Sequence, residues 1–205
     1  MKKNGPRIGI MGGTFDPVHY GHLVTAEGAR CVYKLDQVFF LPSGKPPHKL
    51  MKQVSDAEHR YMMTVLATLT NPHFEVSRLD IDREGISYTI DTLKYLREYY
   101  GPEAELFFIT GADAIFEITD WKDHDEYLTI AHFIAAARPG FALEELPKAT
   151  QDWVDKHANR FHVLNVPAMA ISSTEIRERV RSGMSIRYLV PEPVEHYIKR
   201  HKLYL

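Results

Sequence analysis

The sequence predicts an α/β fold, an open parallel sheet with helices on both faces. Two observations predict it. Short apolar runs alternate with amphipathic stretches along all 205 residues, as in successive strand–helix–strand units. Several runs, such as Leu106-Phe107-Phe108-Ile109, are apolar at every position, which suits strands covered on both faces.

Each element follows from its local pattern. Arg7-Ile8-Gly9-Ile10-Met11 reads as a buried first strand, ended by Gly12-Gly13. A helix is predicted over about 21–35, and a second strand over 38–41, stopped by Pro42. Ser55-Asp56-Ala57-Glu58 has the S-x-x-E capping pattern, so a helix starts there and runs to about 70. Residues 74–81 read as a strand, because Leu79-Asp80-Ile81-Asp82 alternates apolar and polar. Ile90, Leu93 and Leu96 at helical spacing, then Gly101-Pro102, give a helix over 89–100. Further strands are predicted at 106–109, 133–137 and 161–166, and helices at 175–181 and 193–201, with Gly183 as a C-terminal cap. Met62, Leu66 and Leu69 read as core, and Tyr197, Ile198 and Tyr204 as packing.

Length and composition bound the function. At about 150 residues per domain, one domain over 1–205 is expected, with a C-terminal helical part from about 171 to 205. Lys plus Arg is 25 against 27 for Asp plus Glu, a net charge of −2. That excludes a generally basic nucleic-acid coat, and no nucleic-acid partner is expected. It leaves small anionic ligands open, because a fold can gather a few cations in one cleft. The lone Cys31 allows no intramolecular disulfide and no cysteine-rich metal site. No apolar run reaches the ~18 residues of a membrane span, so no membrane partner is expected. The run behind the basic N-terminus breaks at Gly12-Gly13, too early for a signal peptide. A cytoplasmic protein is expected.

Open parallel sheets bind ligands beyond the carboxyl ends of their strands. The first such loop reads Gly12-Gly13-Thr14-Phe15-Asp16-Pro17-Val18-His19-Tyr20-Gly21-His22. It is neither a dinucleotide fingerprint nor a P-loop. Its ingredients still suit phosphate: glycines admit a ligand close to the backbone, and the helix that follows offers unpaired N–H groups. His19 and His22, three apart, share a face, and Gly21 between them leaves room for a bulky ligand. Two histidines at this spacing also fit a partial zinc site or ordinary surface residues. Zinc needs at least three protein ligands, and Asp16 is the only neighbouring candidate. The position behind strand one favours phosphate.

At these residues the chain resembles the HxGH nucleotidylyltransferase superfamily, here His19-Tyr20-Gly21-His22. The second signature of that superfamily is matched by Ile171-Ser172-Ser173-Thr174-Glu175-Ile176-Arg177. Other segments resemble the bacterial nicotinate-nucleotide adenylyltransferase family: Pro46-Pro47-His48-Lys49, Ser87-Tyr88-Thr89-Ile90-Asp91-Thr92, Gly111-Ala112-Asp113, Trp121-Lys122 and Ala137-Arg138-Pro139-Gly140. The matches spread from residue 8 to residue 204. The stretch 141–161 matches no motif, and the role of Trp153 stays open.

The resemblance implies a Rossmann-like fold of the HxGH type and an adenylyltransferase of NAD biosynthesis. AMP passes from ATP to nicotinate mononucleotide, giving nicotinate adenine dinucleotide and pyrophosphate. It implies catalytic roles for His19, His22, Lys49 and Arg177. It implies ATP contacts from Gly12, Gly13, Thr14, Phe15, His19, His22, Gly111, Asp113, Arg138, Ile171, Ser172, Ser173 and Arg177. It implies mononucleotide contacts from Gly13, Thr14, Lys49, Tyr88, Thr89, Trp121 and Arg138. Mg²⁺ is expected with ATP, held largely by the triphosphate, with no protein metal site. The partners implied are the two small substrates, for a monomer or homodimer. Rival readings are an enzyme acting on nicotinamide mononucleotide or phosphopantetheine, and a catalytically silent nucleotide binder on the same fold.

Overall fold

The first apolar run forms β1 (Arg7–Gly13) in the middle of a parallel sheet. The structure, a computed structural model, describes residues 5–46, 54–137, 145–167 and 170–205. Strand β2 (Gln37–Pro42) pairs with one side of β1, with Ile10 opposite Phe39. Strand β4 (Glu105–Gly111) pairs with the other side, with Ile10 opposite Phe108. The short β3 (Phe74–Val76), then β5 (His132–Ala137) and β6 (Phe161–Asn165), extend the sheet outward. The order is β3-β2-β1-β4-β5-β6, all neighbours parallel. This is the doubly wound order of a Rossmann-like sheet. Its strand order reverses between β1 and β4, which opens a crevice outside their carboxyl ends.

The all-apolar strands explain the two core layers. Leu106 and Phe108 face one layer with Ile8, Ile10 and Phe133. Their neighbours Phe107 and Ile109 face the other, with Val38, Phe40 and Ile134. The first layer is covered by α4 (Thr89–Tyr100), α5 (His124–Ile130) and α6 (Lys148–Lys156). The second is covered by α1 (Tyr20–Tyr33), α2 (Ala57–Thr68), α7 (Ser173–Arg181) and α8 (Glu192–Arg200). Each fully buried Phe or Leu in these strands contributes roughly 1.5–3 kcal/mol. Trp153 joins the first layer, its Nε1–H donating to the His124 carbonyl.

Helix α7 ends as its glycine predicts. Gly183 has φ +67, with Gly183 N–H bonding Val180 O and Met184 N–H bonding Arg179 O. That is the Schellman pattern.

Three expectations need correction. The cap of α2 is Asp56, not Ser55: its carboxylate accepts the Glu58 N–H at 2.8 Å. Of 74–81, only Phe74–Val76 is strand, and Leu79–Asp82 coils into one helical turn, α3. The alternation misleads there because polar Asp80 is buried while Arg78 grips Asp82 four residues on.

The inner face of α2 is the third correction. Met62 and Leu69 are 40% and 74% exposed and Leu66 only partly buried, whereas Arg60, Met63, Thr64, Ala67 and Thr68 are buried. The polar members satisfy themselves inside. Thr64 and Thr68 donate to the carbonyls one turn back, and the Arg60 guanidinium donates to three carbonyls. Apolar spacing therefore marks the wrong stripe. Ile198 is buried as expected, whereas the Tyr197 and Tyr204 hydroxyls both make hydrogen bonds.

At the amino ends of β5 and β6, His132 Nδ1 lies 3.0 Å from His162 Nε2, and the rings stack. Burial first, then the neighbouring His162, pushes His132 down from 6.5 to about 4. The folded state thus binds its proton less readily than the unfolded chain. Stability from this group is complete above about pH 6.5 and is lost as pH falls toward 4. Unfolding free energies from urea titrations should decline over that window, and His132→Gln should flatten the decline. An unchanged slope in the variant would contradict the assignment.

Candidate active site

The site grows from the carboxyl end of β1. Gly12 and Gly13 end the strand, and the chain turns at Phe15, which has φ +51 and is 2% exposed. Gly13 is glycine for a local reason: an added Cβ would sit 2.9 Å from the Phe15 ring. Phe15 in turn sets its ring edge against His22, 5.1 Å between centroids. Helix α1 then starts with His19 as its N-cap residue.

The two motif histidines form one unit. Their rings stack at 3.7 Å, and His22 Nδ1 accepts the His19 backbone N–H at 3.2 Å. That bond fixes the neutral tautomer of His22, which must carry its proton on Nε2. Nε2–H is then a donor for an anionic oxygen, beside the positive end of the α1 dipole.

Two cavities flank the ends of β1 and β4. The first, about 480 Å³, is lined by Met11, His19, Gly21, His22, Gly111, Asp113, Ile171, Ser172 and Ser173, among others. The second, about 300 Å³, takes Gly12, Gly13, Thr14, Tyr88, Thr89 and Trp121. The strands themselves divide the space: Met11 and Gly111 face the first cavity, Gly12 and Thr110 the second. The residues expected at ATP and those expected at the pyridine thus fall largely into separate cavities.

The start of α7 closes the first cavity. Ser172 is its N-cap, accepting the Glu175 N–H at 3.1 Å. Ser173 Oγ donates to the Pro17 carbonyl at 2.9 Å, tying this helix to the histidine loop across 156 residues of chain. In the second cavity Trp121 stands edge-on to Phe108 and Tyr127, so its inner edge is core while the residue lines the space. Tyr88 precedes α4 and Thr89 opens it.

Some expected residues are placed differently. Arg177 does not line either cavity; it donates to the Asp16 carbonyl at 2.7 Å and to Thr174 Oγ1 at 3.2 Å. The Phe15 side chain is packed inside, which leaves only its backbone for a ligand. Gly21 does line the first cavity, but the room it saves belongs to His19. An added Cβ would lie 2.9 Å from His19 Nδ1. Lys49 and Arg138 lie outside the described residues.

Sequence inspection missed several lining groups. Asp80 borders the second cavity, and burial pushes its carboxyl up despite the Thr92 hydroxyl bonded to it. Ser87 Oγ accepts the N–H groups of Gly44 and Lys45 and donates to the Asp80 carbonyl, so it fixes the loop after β2. Lys122 is the one cation among the described residues lining this cavity, 4.8 Å over the Tyr88 ring and paired with Asp91. Among the described residues no three His, Cys, Asp or Glu are placed to share a metal ion. None of the described helices is long and apolar enough to cross a membrane.

Known proteins resemble this chain in sequence and in fold. The cytidylyltransferase-like family model matches residues 10–179. A protein of Moorella thermoacetica named "Probable nicotinate-nucleotide adenylyltransferase" is 59% identical, over 97% of this chain and 91% of its own length. One of the same name from Thermoanaerobacter sp. (strain X514) is 54% identical, over 97% and 94%. The chain belongs to the nicotinate-nucleotide adenylyltransferase family. The fold is likewise that of the nicotinic acid mononucleotide adenylyltransferase of Plasmodium falciparum complexed with NaAD. The TM-score is 0.79 at 20% identity, over 97% of both chains. The same enzyme complexed with APC gives 0.77 at 19%, also over 97% of both.

Family membership makes the Gly21 contact testable. Alanine at this position favours a helix by about 1 kcal/mol over glycine, so the fold should tolerate it. Its methyl group must displace the His19 ring. Gly21→Ala is expected to keep its melting temperature and lose roughly tenfold in kcat, the scale set by misplacing a single aligned group. Wild-type kcat in this variant would show that His19 does not need its present place.

Proposed function

We propose that the chain joins ATP, as its Mg²⁺ complex, to nicotinate mononucleotide, with the nucleoside triphosphate in the first cavity and the pyridine in the second. A phosphate oxygen of the mononucleotide forms the new bond to the α-phosphorus, and the bond from that phosphorus to the β-phosphate bridging oxygen breaks. Pyrophosphate leaves with the electron pair. The nucleophile is already anionic near neutral pH, so the site needs neither a covalent nucleophile nor a strong base. Alignment and stabilisation of charge on the transferring group are the work to be done.

The observation that carries this reading is the pair of cavities on the two sides of the β1 end. One has two imidazoles and two helix N-termini, as a triphosphate requires. The other has a flat indole beside Tyr88 and Thr89, as a pyridine riboside requires. In this reading His22 meets the α-phosphate through Nε2, and His19, Ser172 and Ser173 hold the phosphates. Gly111 and Asp113 face the adenosine, Asp113 accepting from a ribose hydroxyl. Arg177 acts by holding the Asp16 carbonyl under the loop. Lys49 and Arg138 supply further phosphate charge. The exposed free Cys31 fits a cytoplasmic place.

The test is pyrophosphate release from ATP with nicotinate mononucleotide, nicotinamide mononucleotide or phosphopantetheine as acceptor. Preference for nicotinate mononucleotide is expected. Preference for phosphopantetheine, or no turnover with any of them, would overturn the proposal.

A further inference from the structure

The end of the chain returns to the histidine loop. Tyr204, the penultimate residue, donates its hydroxyl to Asp16 Oδ1 at 2.8 Å, across 188 positions of sequence. Asp16 is 2% exposed, and its other carboxylate oxygen accepts the Ser55 N–H at 3.2 Å. Beneath it lies Arg60, 1% exposed, which donates to the carbonyls of Thr14 at 2.8 Å, Ser55 at 2.9 Å and Gly44 at 3.1 Å. The Asp16 carbonyl takes the Arg177 guanidinium. One buried network therefore holds the loop after β1, the loop after β2 and the helix that starts at Ser173.

Ordinary core packing does not account for this arrangement. A buried guanidinium and a buried carboxylate lose much hydration, and simple packing would be served better by apolar side chains. The tail is also pinned against its own preference: Lys202 and Tyr204 have φ of 51 and 68, a region L side chains rarely adopt. Non-glycine residues persist there only where surrounding contacts over-determine them. Burial, and next the Asp16 charge, raise the Tyr204 phenol above its ordinary range, so it stays a donor at neutral pH.

We infer that Tyr204 is a positioning residue for the transfer reaction: through Asp16 it fixes the segment 12–16, which leads from Gly12, Gly13 and Thr14 in the second cavity toward His19 in the first. That segment sets how the two substrates face each other. Loosening it lowers alignment, and hence kcat, more than it lowers either affinity. The kinetic arm of the test rests on the proposed reaction; the exchange arm does not.

The variant is Tyr204→Phe, which keeps the ring and removes only the hydroxyl. At a temperature well below unfolding, kcat should fall about fivefold with both KM values within about twofold. Amide hydrogen exchange in 13–18 of the substrate-free protein should quicken. In an Asp16→Ala background the same change should add less than about twofold, because the acceptor it acts through is already lost. Wild-type kcat and KM in Tyr204→Phe, whatever happens to its melting temperature, would overturn the inference, as would an equal loss in both backgrounds. If wild-type protein shows no turnover, the proposed reaction fails, and exchange alone decides: unchanged exchange in 13–18 overturns the positioning role. Should Asp16→Ala not fold, Tyr204→Phe alone decides: a fall in kcat with faster exchange in 13–18 supports the inference, and wild-type kcat overturns it.

Discussion

His22→Ala is expected to lower kcat by about 10²-fold or more while leaving the fold intact, as loss of one transition-state donor does. The structure gives the reason. Nδ1 of His22 is committed to the His19 N–H, so the proton of the neutral ring sits on Nε2. The ring is held edge-on by Phe15 and face-on by His19, which leaves little freedom to lose when an anionic oxygen arrives. A donor fixed beforehand gains most from the charge that develops in the transition state. The substitution removes no large core contact, since α1 buries Thr25, Ala26 and Ala29 rather than His22. Circular dichroism and melting temperature should therefore stay near wild type. A folded His22→Ala protein with unchanged kcat would remove this residue from the mechanism.

Trp121→Ala is expected to raise the KM for nicotinate mononucleotide by roughly 5- to 150-fold and to leave the KM for ATP nearly unchanged. Stacking of a flat ring on an aromatic side chain is worth about 1–3 kcal/mol, which gives that range. The asymmetry is the sharper half of the prediction, because Trp121 lines the second cavity and not the first. The indole also meets Phe108 and Tyr127, so its loss costs some stability as well. Trp121→Phe separates the two effects: it keeps an aromatic face and should hold the KM within about fivefold. Equal rises for both substrates in Trp121→Ala would mean that the cavities are not the separate compartments proposed here.

Much of the fold was legible because the strands are apolar on both faces. Leu106 to Ile109 needs no partner to be read as a central parallel strand. Helix α4 was legible over its whole span, since Ile90, Leu93 and Leu96 mark its buried face and Gly101 stops it. Helix α2 shows where such reasoning stops. Its buried stripe contains Arg60, Thr64 and Thr68, and only the structure reveals the carbonyls that satisfy them. The stretch 79–82 fails for the related reason that Asp80 is buried with Thr92 and Arg83 as partners. In each case a polar side chain is inside because a distant group receives it, and distance along the chain hides that group.

The candidate site divides in the same way. The segments around 12–22, 87–89, 111–113 and 171–173 each sit behind a strand or at a helix start, so their neighbourhood was predictable. Their division into two cavities was not, because it depends on which side of β1 and β4 each side chain meets. Nor was the link from Tyr204 through Asp16 to Arg60: Tyr204 reads as packing, Asp16 as a weak metal-ligand candidate, and nothing in the sequence singles out Arg60. Motif position likewise does not show what the Arg177 guanidinium meets, namely the Asp16 carbonyl and Thr174 Oγ1.

The most direct test of the central claim is a crystal structure of the protein with nicotinate adenine dinucleotide bound. The product should span both cavities, its adenosine half near Gly111 and Ser172 and its pyridine against Trp121. The phosphate next to the adenosine should lie within hydrogen-bonding distance of His22 Nε2. A dinucleotide bound in the reverse sense, or lying away from the β1 loop, would contradict the account.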